Sequence, residues 1–130
     1  MDSALRARLE AVLGAYPGLV AAWVFGSVAR GDERADSDVD VAVLLGRGDR
    51  PQRLSDLPLD LEAALAEAVG REVDLVALDW APVDLIHRVL RDGVLVLERD
   101  KGARIRFEVD ARNRYFDLLP VLREYRRTAP

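Results

Sequence analysis

Apolar residues recur along this chain in two rhythms. Over residues 3–16, Leu5, Leu9, Val12, Leu13 and Tyr16 return at intervals of three and four, the spacing of one helix face. Ser3 stands at the capping position, and Pro17-Gly18 supplies the stop. Residues 19–25 are an unbroken apolar run and read as a buried strand. Residues 39–45 read as a second strand, and residues 73–78 as a third. In the third, Val73, Leu75 and Ala77 share one face, while Asp74, Val76 and Leu78 share the other. A short helix is expected at 27–30. A longer one at 59–69 is built on Leu61, Ala64, Leu65 and Ala68 and stopped by Gly70. Pro82 opens a helix over 82–91 with Val83, Ile86, Val89 and Leu90 turned inward, and 94–98 form a short fourth strand. From 99 to about 127 the pattern is a long, basic, amphipathic helix. Ile105, Val109, Phe116, Leu119 and Leu122 approximate one stripe, and Pro120 is set to kink or end it.

The polar stretch 32–37 reads as a surface loop and 46–58 as a mobile one. Gly46 and Gly48 form a Gly-x-Gly, but no helix pattern follows at the spacing a dinucleotide fold needs. The expected architecture is α/β (α+β): a mixed sheet of about four strands packed with helices and ending in a long C-terminal helix. With 130 residues, the chain amounts to a single domain, 1–130.

Composition narrows the function classes. There is no cysteine, which excludes disulfides and thiolate metal sites and points to a cytoplasmic location. No apolar run reaches the roughly 20 residues of a membrane span, and Met1 to Leu13 is mixed in charge, unlike a signal peptide. The net charge of −4 hides an asymmetry: residues 1–98 carry 10 basic and 18 acidic side chains, residues 99–130 carry 9 and 5. The acidic body argues against direct nucleic-acid binding, and the basic tail suits an acidic partner or a solvated helix face.

Candidate chemistry lies between Phe25 and Val43. Gly26-Ser27 closes the first strand, and after ten intervening residues Asp38 and Asp40 open the second. Residues two apart in a strand point the same way, so the two carboxylates share a face. Like charges so close raise each other's pKa. A divalent cation removes that penalty, and an oxygen-only site suits Mg²⁺. The first two strands flank one loop and are expected to be antiparallel. If Asp74 joins Asp38 and Asp40, the second and third strands start at the same edge and run parallel, joined by a right-handed crossover through helix 59–69. Three aspartates on one sheet edge can hold two Mg²⁺ ions about 4 Å apart. Gly26, the Ser27 hydroxyl and the free N–H groups of the short helix can cradle phosphates, and Arg30 can add a charge-assisted contact.

Gly26-Ser27, ten residues, then Asp38-Val39-Asp40, with an acid on a later strand, resembles the DNA-polymerase-beta-like nucleotidyltransferase superfamily. Gly-Ser-Val-Ala-Arg-Gly followed by Ser-Asp-Val-Asp is similar to the minimal nucleotidyltransferases (MNT), antitoxins encoded beside HEPN-domain toxins. The tail from Arg112 to Tyr125 also resembles the ending of MntA-type antitoxins. The resemblance implies an ATP- and Mg²⁺-dependent protein adenylyltransferase that moves AMP onto a tyrosine hydroxyl of its partner, a HEPN RNase toxin. Carried over, Asp38, Asp40 and Asp74 are the catalytic, metal-binding acids. Gly26, Ser27, Arg30 and Ser37 are the nucleotide-binding residues, and the tail 99–130 docks the partner. Asp60, Glu72 and Asp79 are rivals for the third acid. Asp74 also has a structural alternative, an ion pair with Arg30.

His87, the sole histidine, reads as a surface or packing residue, Trp23 as core and Trp80 as packing. Tyr115, Phe116 and Tyr125 read as core or partner contacts. Two other functions compete. A nucleotidyltransferase for a small molecule usually carries an added substrate domain, for which the stretch after the last strand leaves little room. An antitoxin can also act by masking alone.

Overall fold

The computed structural model describes residues 1–32, 34, 37–46 and 58–128. Among the described residues five helices and four strands follow one another: α1 (Ser3–Ala15), β1 (Ala21–Phe25), α2 (Gly26–Arg30), β2 (Val39–Leu44), α3 (Leu59–Val69), β3 (Val73–Ala77), α4 (Val83–Asp92), β4 (Val94–Glu98) and α5 (Lys101–Thr128), with a 3-10 turn at Leu78–Trp80. Much of the loop expected at 46–58, Gly48 included, lies outside the described residues, as do Glu33, Ala35 and Asp36 in the acidic stretch.

The strands form one mixed sheet in the order β3-β2-β1-β4. β1 runs antiparallel to β2 and β4, and β2 runs parallel to β3, as the placement of the aspartates required. The register sets Phe25 opposite Asp40 and Asp40 opposite Asp74.

Helices cover both faces. Val39, Val41 and Val43 of β2 join Leu5, Leu9 and Leu13 of α1 and Leu61 and Leu65 of α3 in one core. On the other face Ala42 and Leu44 pack with Trp23 of β1, Ile86 and Val89 of α4 and Ala111 of α5. This explains why β1 and β2 read as continuous apolar runs rather than alternating ones. Asp40 shares the face of Ala42 and Leu44, so that face is a core at one end and a carboxylate edge at the other.

One local feature differs from the sequence reading and two decide what it left open. The cap of α1 is Asp2 rather than Ser3: its carboxylate accepts the Ala4 N–H at 2.9 Å, the usual role of an N-cap acid. Pro120 does not end α5, which runs on to Thr128. Pro120 and Phe116, one turn earlier, are both exposed, so water can serve the carbonyl that loses its N–H partner. Finally, the expected stripe of α5 does not face the body. Ile105, Val109 and Phe116 are 41%, 47% and 57% exposed, while Leu119 and Leu122 are half-buried. The helix meets the body through Phe107 and Ala111, and every described residue after Leu122 is exposed.

Candidate active site

The site begins where β1 gives way to α2. Gly26 has φ +72°, the left-handed region that glycine adopts at no steric cost. A side chain at position 26 would also have to displace the Asp40 carboxylate: a Cβ there would sit 3.2 Å from the Asp40 Cγ and overlap its Oδ2. The turn and the carboxylate are in contact across the β1–β2 pair. Ser27 lies in the first turn of α2, where N–H groups have no acceptor within the helix.

Asp40 is half-buried, whereas Asp38 and Asp74 are exposed. Burial is the first cause that lifts the Asp40 carboxyl above the usual carboxylate range. The neighbouring Asp74 and Asp38 charges lift it further, and the Arg30 guanidinium pulls the other way. Asp74 forms no hydrogen bond or ion pair among the described residues. β3 is an edge strand, so the Asp74 carboxylate stays solvated and carries no desolvation cost. Arg30 pairs with Asp32 at 3.4 Å rather than with Asp74.

Of the rivals for the third acid, Asp60 and Asp79 lie apart from Asp40 and Asp74, whereas Glu72 is near Asp74 in the chain. Asp60 is on α3 and receives the Tyr16 hydroxyl at 3.4 Å. Asp79 accepts the Leu45 N–H at 2.8 Å, at the opposite end of β2. Glu72 is exposed before β3, and its carbonyl receives the Val39 N–H at 2.9 Å.

Ser37 is placed by its backbone as much as by its hydroxyl. Its Oγ accepts the Arg34 N–H at 2.8 Å. Its carbonyl receives the Arg71 Nε at 3.0 Å and also an Arg71 Nη2 contact, and the same Nη2 reaches the Arg34 carbonyl at 3.5 Å. Arg71, just ahead of β3, thus fastens the chain just ahead of Asp38. Sequence reasoning overlooked it, because an arginine that binds carbonyls leaves no charge pattern. Glu62 of α3 was overlooked for the same reason: its carboxylate accepts the Leu75 N–H at 3.0 Å, next to Asp74.

The oxygen-only donors and the crowding of Asp40 fit a hard divalent cation. The expected three-carboxylate site is not ready-made, however: among the described residues no group of three acidic or imidazole side chains forms a metal cage. His87 is stacked flat on Tyr115, with ring centroids 3.6 Å apart, and Trp23 is core.

Residues 8–102 match the family model described as polymerase beta, nucleotidyltransferase. The chain therefore belongs to the polymerase beta nucleotidyltransferase family and is a nucleotidyltransferase by that membership. A protein of Methanocaldococcus jannaschii, named as a candidate protein adenylyltransferase, is 36% identical over 80 residues, 62% of this chain and 82% of the relative. A solved structure described as a candidate minimal nucleotidyltransferase is 41% identical and superposes with a TM-score of 0.58 over 72% of this chain and 95% of that one. A toxin–antitoxin crystal structure with AMP-PNP gives a TM-score of 0.70 at 22% identity over 92% and 96% of the two chains. A complex of tri-AMPylated Shewanella oneidensis HEPN toxin with MNT antitoxin gives 0.64 at 20% identity over 95% and 98%. These last two show a shared fold.

Proposed function

We propose that this chain is the MNT antitoxin of a HEPN/MNT pair and acts as a protein adenylyltransferase, moving AMP from ATP to a tyrosine hydroxyl of its toxin. The observation that carries this reading is the contact of Gly26 with Asp40, in register with Asp74. A phosphate-sized turn against paired carboxylates is an arrangement for nucleotide chemistry rather than for packing. The names of the relatives, an adenylyltransferase and an AMPylated-toxin complex, supply the acceptor class.

In this reading Gly26, the Ser27 hydroxyl and the α2 N–H groups hold the β and γ phosphates, with Arg30 beside them and Ser37 shaping the loop. Asp38, Asp40 and Asp74 would hold Mg²⁺, which would neutralise the triphosphate and favour the ionised acceptor. Asp74, exposed and without a protein partner among the described residues, takes the tyrosine proton. The tyrosine oxygen bonds to the α-phosphorus as the bond to the bridging oxygen breaks, and pyrophosphate leaves. No described helix is long and apolar enough to cross a membrane, and a cytoplasmic location follows from the reading. The exposed Ile105 and Val109, together with Val121 and Tyr125 (63% and 71% exposed), make α5 the docking element within the tail 99–130.

The test is transfer of label from α-labelled ATP, with Mg²⁺, to the product of the neighbouring gene. Labelling of that protein, lost in Asp40→Asn, is expected. Absence of labelling, or labelling indifferent to Asp40→Asn, overturns the reading. The exposed face of α5 also favours neutralisation by masking. If masking is sufficient, Asp40→Asn still protects cells, whereas removal of residues 112–130 does not.

A further inference from the structure

A second convergence of cationic and aromatic groups lies apart from the carboxylates, in a cleft of about 220 Å³ between α4 and α5. His87 and Arg91 line it from α4; Glu108, Arg112 and Phe116 line it from α5. Most of their charge is already committed. Arg91 is clasped by Asp92 at 2.8 and 3.0 Å, and Glu108 by Arg104 at 2.8 Å. Arg112 forms no hydrogen bond or ion pair among the described residues and is exposed at the cleft wall. The His87 ring is fixed flat against Tyr115, with 1° between the planes, and Phe116 is 57% exposed. One uncommitted guanidinium beside aromatic faces is what a planar anionic ligand, a base carrying phosphate, requires.

The cleft also has the right neighbours. α4 packs on α2. It ends at Asp92, and the following Gly93 lies against the Val24 carbonyl, two residues before Gly26. Val94 then pairs with Val24. The C-terminal end of α4, with Arg91, therefore reaches the edge where the phosphate turn lies. At about 220 Å³ the cleft is smaller than the roughly 300–1,000 Å³ pockets that enclose whole drug-sized ligands. It has room for a base with its phosphate at the mouth, and none for a triphosphate as well.

We infer that the α4–α5 cleft is an adenine-nucleotide subsite serving the transfer site, with Arg112 on a phosphate and the His87 and Phe116 rings along the base. The inference rests on the adenylyl-transfer reading. The same chemistry has two sources: the adenosine of ATP whose triphosphate lies at Gly26-Ser27, or an AMP already attached to the acceptor when several are added in turn.

The experiment uses the full chain as wild type, Arg112→Ala on α5 and His87→Ala on α4, with folding checked by circular dichroism and Arg8→Ala as a control on the opposite layer. Mg²⁺·ATP and the dinucleotide pApA are titrated against each, and AMP units on the partner are counted by intact mass. In both cleft variants we expect affinity for one ligand to fall about tenfold. A fall for Mg²⁺·ATP places its adenosine in the cleft. A fall confined to pApA, with the partner arrested after one AMP, places the acceptor's nucleotide there. If both variants bind both ligands as tightly as wild type, the inference is wrong. The titrations need no partner, so absence of transfer would defeat the functional reading while leaving the cleft tested separately.

Discussion

The two ends of β2 meet acids in the same fold with opposite consequences. At the far end Asp79 accepts the Leu45 N–H, and Leu44 beside it is buried under α4 and α5. At the near end Asp40 is set against Asp74 and occupies the space that the missing side chain of Gly26 leaves open. An acid that is given a donor holds the structure together. An acid forced beside other acids costs stability unless something else arrives to neutralise it, and it is the second kind that marks a site.

The contrast can be broken most severely at Gly26. Gly26→Ala forces a Cβ onto Asp40 at positive φ; transfer activity should fall about 100-fold or more, measured as the initial rate of labelling, with the fold retained by circular dichroism. Asp40→Asn, which should also abolish labelling, sharpens the electrostatic half of the contrast. Because the folded-state pKa of Asp40 is raised, the stability linked to its protonated form is present below the ordinary carboxylate range and lost as pH rises through the raised value. Without metal, Asp40→Asn should therefore melt above wild type at neutral pH, with the gap closing on acidification. A variant that melts below wild type at neutral pH would refute this account.

Arg71→Ala releases the Ser37 and Arg34 carbonyls and should slow transfer about tenfold at saturating ATP, a positioning effect. A higher Mg²⁺ requirement distinguishes it from simple loss of stability, and Arg71→Lys should recover part of the rate. The smallest effect on chemistry is expected at the far end. Asp79→Ala strands a part-buried N–H and should cost about 1–3 kcal/mol in denaturant unfolding, while each folded molecule transfers AMP as before. Loss of transfer there would erase the distinction between the two ends.

Much of this was legible because it depends on neighbours in sequence. Strand periodicity put Asp38 and Asp40 on one face, and requiring Asp74 at the same edge dictated that β2 and β3 run parallel. What escaped was decided by partners distant in sequence. Arg71 and Glu62 act through backbone groups that any residue possesses, so their identity carries no pattern. The stripe of Ile105, Val109 and Phe116 was visible as periodicity, but periodicity does not say whether a face meets its own body or points away. Asp2 displaced Ser3 as cap by a single residue, a difference set by where the first turn closes.

The Glu62 carboxylate on the Leu75 N–H has one more consequence. β3 is an edge, and an edge strand invites another chain to extend the sheet. Here one of its outward N–H groups, immediately after Asp74, is already taken from within. The acid can lie at the open margin without that margin becoming adhesive. A visiting protein is thereby discouraged from joining the sheet as a fifth strand, which leaves helices as its means of holding on and keeps the approach to Asp74 clear.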